Sequence, residues 1–129
     1  MPNLRISEAA SLLGVSDDTI RRWIDQGRLT AQRDGPMTVS GAELAELAQD
    51  LADAPDPGVA RAASARNRLK GIVTRVVKDG VMAQVEMQAG PFRIVSLMSR
   101  DSAEELELQP GSIAVASIKS TQVVVEIPE

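Results

Sequence analysis

The sequence predicts an α+β protein of two small domains, an all-α N-terminal half and a C-terminal half built as a small five-stranded β-barrel. Three observations carry this. Apolar residues recur at helical spacing through the first 53 residues, then fall into short β-branched runs broken by glycine. Between the two patterns lies Asp53-Ala54-Pro55-Asp56-Pro57-Gly58, whose prolines restrict their own φ and the residues before them, making a poor helix and a good linker. The charge also divides: residues 1–53 hold five Arg against nine Asp/Glu, a net −4, while residues 54–129 hold nine of each sign. The expected domains are 1–53 and 64–129, joined by a linker over 54–63. Each is small enough to be marginal alone, so oligomerisation is expected.

In the N-terminal half, Ser7 is expected to cap a helix over Glu8–Leu13, which Gly14 ends. Val15 returns to the core. Ser16 caps a second helix, Asp17–Gln26, with Asp17 and Asp18 in the first turn, where the helix dipole favours acids. Ile20, Trp23 and Ile24 form its buried stripe, and Gly27 ends it. Two helices joined by a short glycine-containing turn make a helix-turn-helix. A third helix follows Ser40, with Glu43 at the capping-box position and Leu44, Leu47 and Leu51 along one face.

In the C-terminal half, Ile72–Val77 is the first expected strand and Asp79-Gly80 a hairpin turn. Val81–Met87 is its partner, with Val81, Ala83, Val85 and Met87 on one face. Phe92–Met98 follows the Ala89-Gly90-Pro91 turn. Ser102 is expected to cap a short helix, Ala103–Leu108, with Glu104 and Glu105 in its first turn. After Gln109-Pro110-Gly111, Ile113–Ile118 and Gln122–Ile127 complete five strands. Five short strands with one short helix suggest a closed or half-closed OB-like barrel.

Composition excludes much. The chain has no Cys and no His, so zinc, iron–sulfur and haem sites lose their usual ligands and nucleophilic triads are hard to assemble. Trp23 and Phe92 are the only aromatics, which argues against a base-stacking platform. No phosphate-binding glycine loop and no cation-binding cluster is present. The expectation is a binding protein rather than an enzyme, cytoplasmic, with no signal peptide and no membrane span.

Two resemblances sharpen this. Ile6-Ser7-Glu8-Ala9-Ala10, Leu13-Gly14-Val15-Ser16, Thr19-Ile20-Arg21-Arg22-Trp23 and Gly27-Arg28-Leu29 resemble the MerR/excisionase-like helix-turn-helix family, over residues 3–50. The resemblance implies a winged helix-turn-helix whose second helix enters the DNA major groove. It makes Ser16, Thr19, Arg21 and Arg22 candidate DNA contacts on that helix, and Arg28 and Arg33 candidates near the wing. Arginine suits the role, because it reads guanine bidentately or clamps phosphate. Family wings are often rich in Arg and Lys, whereas Gln32–Val39 carries Arg33 beside Asp34.

Ser64-Ala65-Arg66-Asn67 with Leu69 and Gly71, and Ile118-Lys119-Ser120-Thr121, resemble the two ends of the molbindin or Mop domain of the TOBE group; the resemblance spans residues 64–127. It implies binding of molybdate or tungstate by Ser64, Ala65, Arg66, Ser99, Ser102, Lys119 and Ser120. It also implies a homo-oligomer, a hexamer or a dimer through the C-terminal domain, with the two end segments meeting from different subunits. The chemistry fits a tetrahedral dianion, whose oxygens all accept hydrogen bonds and need converging donors with compensating positive charge. Met82, where the family often has Asn, and Ser96 depart from the pattern.

Other features have plainer readings. Arg61, Arg66, Arg68 and Lys70 suit a solvated basic face, Glu104, Glu105 and Glu107 an acidic helix turn, and Met82, Met87 and Met98 core filler. Two functions stand: an oxyanion-sensing, DNA-binding transcriptional regulator, and an intracellular molybdate store whose helix-turn-helix serves assembly. An accessory role to a molybdate transporter would need an ATPase partner.

Overall fold

The computed structural model describes residues 3–52 and 65–128. The chain divides into two compact units, Met1–Ala54 and Pro55–Glu129, each with its own fold.

The N-terminal unit orders its elements as β1 (Asn3–Arg5), α1 (Ile6–Leu13), α2 (Asp17–Asp25), β2 (Ala31–Gln32), β3 (Thr38–Ser40) and α3 (Gly41–Leu51). A three-stranded antiparallel sheet, β1-β3-β2, makes it helical but not all-α as the periodicity suggested. The strands are two or three residues long, too short for an alternation pattern to reveal. The core gathers Ile6, Ala9, Ala10, Ile20, Trp23, Leu29, Val39, Leu44 and Leu47, so both helices of the turn pack on α3 and the sheet. Leu51, expected on the same face, is exposed, because α3 outruns the core at its last turn.

The caps show where local signals compete. Ser16 caps α2 as expected, its Oγ accepting from Thr19 N at 3.1 Å. Ser7, however, lies inside α1; Arg5 is the N-cap, and its N–H donates to Glu8 Oε1 at 3.3 Å. Ser40 caps α3, but Glu43 reaches across the chain instead of back to Ser40: its carboxylate accepts from Thr30 N at 3.1 Å. Glu43 thereby ties α3 to the segment leaving α2.

The C-terminal unit is a curled sheet of four antiparallel strands, order β6-β5-β4-β7, from β4 (Asn67–Lys78), β5 (Met82–Ala89), β6 (Phe92–Ser99) and β7 (Ile113–Ile118). β4 bends the sheet: its first half pairs with β7 and its second with β5, with a bulge between Val73 and Arg75. Val73, Ala83, Val85 and Met87 are buried, as is Ala103 of α4 (Arg100–Glu105); Val81 is exposed, in the turn. That turn is closed by Asp79, whose Oδ1 accepts from Val81 N and Met82 N, both at 2.7 Å.

Further expectations fail here. Met82, expected as core filler, is 43% exposed. The helix starts three residues early: Ser99, not Ser102, is the N-cap, its Oγ accepting from Ser102 N at 3.1 Å. The fifth strand, Gln122–Ile127, is absent among the described residues. A 3-10 turn over Ser120–Gln122 follows β7, and Val123–Pro128 join no ladder. A strand needs a neighbour, and this segment finds none within the single chain.

Candidate functional site

In the C-terminal unit, β4 and β7 run together from Ile72↔Ile113 to Asn67↔Ile118 without interruption. The last pair is reinforced by a side chain, Asn67 Nδ2 donating to the Ile118 carbonyl at 3.2 Å. The two end motifs, distant in sequence, therefore leave the sheet side by side. Ala65 is half-buried; Arg66, Lys119 and Ser120 are exposed. One chain thus already juxtaposes segments that the family resemblance assigned to different subunits. Ser64 lies outside the described residues.

Ser99 and Ser102 go elsewhere. Ser99 pairs with Met82 where β6 meets the start of β5, next to Ala83↔Lys78 at the far end of β4. Twelve residues of β4 separate the two ends, roughly 35 Å along the strand at ~3.3 Å per residue. Their hydroxyls are mutually engaged, Ser99 Oγ to Ser102 Oγ at 2.8 Å. The predicted set thus falls into two groups at opposite ends of β4.

Sequence reasoning passed over two residues at the Ala65 end. Asn67 holds the last ladder pair, as above. Arg68, expected on a solvated face, is half-buried, and its Nε is buried without a hydrogen-bond partner among the described residues. A donor left so is costly unless something pairs with it. Its place one step from Asn67 was the available signal.

At the far end, Glu104 is taken by Arg100, 2.9 Å away, and Lys78, 3.8 Å away, beside a surface recess of about 430 Å³ that Glu107 and Gln109 also line. The Arg100 hydrogen bond holds the Glu104 carboxyl below its usual range. Glu104, Glu105 and Glu107 are exposed, the solvated surface expected, but the helix starting at Arg100 puts Glu104 and Glu105 in its last turn rather than its first, with Glu107 beyond it. Among the described residues, no group of His, Cys, Asp or Glu is placed to hold a metal ion, and no helix is long and apolar enough to cross a membrane.

In the N-terminal unit, Ser16, Arg21 and Arg22 are exposed on α2 and Thr19 is half-buried. Ser16 and Thr19 hydroxyls lie 2.9 Å apart and serve the cap. Arg21 faces Asp18 at 3.7 Å, one turn back on an exposed face. Arg28 lies over the Trp23 ring, 5.8 Å from its centroid, which fixes a cation beside α2. Arg33 is exposed in the connection between β2 and β3.

This architecture of a helix-turn-helix unit and a curled β unit agrees with the comparisons. Residues 4–52 match a helix-turn-helix domain model and residues 63–125 the TOBE domain model. "Molybdenum-pterin-binding protein 1" of Clostridium pasteurianum is 44% identical over 63 residues, which are 48% of this chain and 93% of that protein. "Molybdenum-pterin-binding protein MopB" of Rhodobacter capsulatus is 36% identical over 72 residues, 55% of this chain and 27% of that one. A crystal structure of the cytoplasmic molybdate-binding protein ModG, with molybdate bound, superposes with a TM-score of 0.52 at 34% identity, covering 58% of this chain and 53% of that one. The chain belongs to the TOBE-domain family of the molybdenum-pterin-binding (Mop) proteins, and carries a helix-turn-helix domain ahead of that domain.

Proposed function

We propose that this protein is a cytoplasmic transcriptional regulator, not an enzyme, which binds molybdate or tungstate through its C-terminal unit and DNA through its N-terminal one. The observation that supports it best is the β4·β7 register, which delivers Ala65-Arg66 and Lys119-Ser120 to one end of one ladder. Arg66 and Lys119 supply charge, and Ser64, Ser120 and nearby backbone N–H groups supply further donors for a tetrahedral dianion. Ser99 and Ser102, at the other end of β4, join that site only from a second copy. The protein is therefore a homo-oligomer, a dimer or hexamer, whose subunit arrangement the oxyanion biases. In the winged helix-turn-helix, α2 reads the groove and the β2–β3 hairpin is the wing, with Arg22, Arg28 and Arg33 as leading contacts.

Calorimetric titration of the wild type and Arg66→Ala with molybdate, tungstate and sulfate tests the site. Binding of the wild type weakened at least about tenfold in Arg66→Ala is expected, the loss of one charge-assisted contact. Equal affinity in the two would remove Arg66 from the site. A gel shift with and without molybdate tests the regulator; unchanged DNA affinity at saturating molybdate would remove the switch.

The second reading, an oxyanion store with the helix-turn-helix as an assembly device, has its own support. Residues 1–53 carry a net −4, and Arg21 is paired with Asp18. Native mass spectrometry separates them: oligomers loaded with several oxyanions, without DNA binding at low salt, would favour storage.

A further inference from the structure

The β4·β7 ladder stops at Asn67↔Ile118, although both chains of residues run on past it. One further step of the same register sets Arg66 opposite Lys119; two steps set Ala65 opposite Ser120. The kind of pairing at each step follows from the other end of the ladder. Val73 N donates to the Ser112 carbonyl at 2.8 Å, on the same register. Hydrogen-bonded and non-hydrogen-bonded positions alternate along an antiparallel pair. Counting back from Val73, Asn67 and Ala65 fall at hydrogen-bonded positions. Arg66 falls at a non-hydrogen-bonded one, where facing Cα atoms come within about 4.5 Å and side chains are closest.

Two cations would therefore meet there. Like charges directly opposite each other oppose strand pairing. The ion pairs among the described residues involve neither Arg66 nor Lys119. The ladder thus ends where the next pair would bring two cations together without compensation, and where Lys119 leads into the 3-10 turn over Ser120–Gln122. Asn67 marks the limit, its side-chain amide pinning Ile118 in register.

The geometry points to an anion-operated end to this ladder: a tetrahedral dianion held between Arg66 and Lys119 removes their repulsion and carries the pairing on to Ala65↔Ser120, at the expense of the 3-10 turn that now begins at Ser120. This rests on the oxyanion site proposed above and adds what binding does to the backbone. Ala65 lies two residues past the linker expected over 54–63. Ligand therefore sets where the C-terminal sheet begins, which is how a small anion alters a chain leading to a DNA-binding unit. Asn67 is the positioning residue, because it holds the register from which the added pairs grow.

Amide hydrogen exchange of the full chain, read residue by residue by NMR, tests this. Saturating molybdate slows exchange at the Ala65 and Ser120 amides by about tenfold or more, since both become ladder donors. Lys119→Glu, which places opposite charges at the pair, gives the same protection without molybdate and no longer binds it. Lys119→Gln, which removes only the repulsion, gives part of that protection. Molybdate binding by calorimetry with unchanged exchange at both amides would overturn the ladder extension and leave the site standing. Unchanged exchange in Lys119→Glu, with the rest of β4·β7 still protected, would overturn it as well. No molybdate binding by the wild type would remove the site and the ladder extension together.

Discussion

At the scale of single residues, Gly71 decides how β4 can bend. A Cβ built there would run into the Gln88 carbonyl, overlapping its oxygen and lying 2.8 Å from its carbon. Both are backbone atoms, so no side chain can swing aside. Gly71 is where β4 passes from β7 to β5: Ile72 is the residue paired with both, Ile113 on one side and Gln88 on the other. Gly71→Ala is expected to destabilise the C-terminal unit by about 1–3 kcal/mol, the usual cost of forcing atoms into a packed interior. Chemical denaturation checks this; an unchanged midpoint would show that the strands separate there freely. The sequence marked Gly71 only as part of a motif, because its reason for being glycine lies 17 residues away on another strand.

Individual carboxylates set the acid limit of the same unit. Asp79 is held below the usual carboxylate range by the hydrogen bonds from Met82 N and Val81 N. Glu86 is lowered by its hydrogen bond from Arg93, and Glu104 by that from Arg100. A carboxylate lowered in the folded state favours folding above its unfolded pKa, and that contribution disappears as pH falls through the folded value. The Tm of the C-terminal unit should therefore fall below about pH 4, near the ordinary carboxylate pKa. Asp79→Ala should lower Tm at pH 7 and flatten the acid fall. A Tm in the variant that still drops as steeply as the wild type's would exclude Asp79 as a contributor. The chain's lack of His removes the side chain that ordinarily titrates between pH 5 and 8.

At the scale of elements, signals confined to a few residues were legible and those requiring a partner were not. The Ser16 cap, the Asp79-Gly80 turn and β7 at Ile113–Ile118 all stand where local chemistry put them. α4 was misplaced because Ser99 and Ser102 are equally good caps in isolation. The β6–β5 ladder ends at Ser99↔Met82, and Arg100 N then donates to the Val81 carbonyl at 2.7 Å, which starts the helix at once. Arg5 as the α1 cap was hidden for a similar reason: β1 pairs Arg5 with Thr38, so the strand delivers the chain into the helix directly. The two end motifs themselves were visible as a resemblance. That they share one ladder end, and that Ser99 and Ser102 lie at the other end of β4, depended on a register spanning some fifty residues of sequence.

At the scale of the whole molecule, the unpaired tail says most about assembly. Val123, Val124, Val125 and Ile127 are 46%, 81%, 87% and 92% exposed, an arrangement water disfavours. The same unit keeps an apolar cavity of about 440 Å³, lined by Val85, Met87, Ile94, Met98, Leu106 and Ala116 among others. Its sheet also has two free edges, β6 and β7. A β-branched tail without a partner strand and a cavity with open strand edges are complementary, and a second copy supplies both at once. Burying four such side chains contributes roughly 6–12 kcal/mol per tail before ordering costs, doubled by a twofold exchange. The doubled figure, about 12–24 kcal/mol, exceeds most of the roughly 4–15 kcal/mol cost of association. The full chain should therefore run as a dimer or larger species in native mass spectrometry, and a chain ending at Gln122 as a monomer. Val125→Asp with Ile127→Asp should act like the truncation without shortening the chain, since an unpaired carboxylate resists burial. Dissociation should also weaken the DNA binding proposed above, because one helix-turn-helix unit with few free cations would depend on a second for avidity. A truncated chain of unchanged mass would show that the subunits meet elsewhere. A monomer with full DNA affinity would show that one copy of the N-terminal unit suffices.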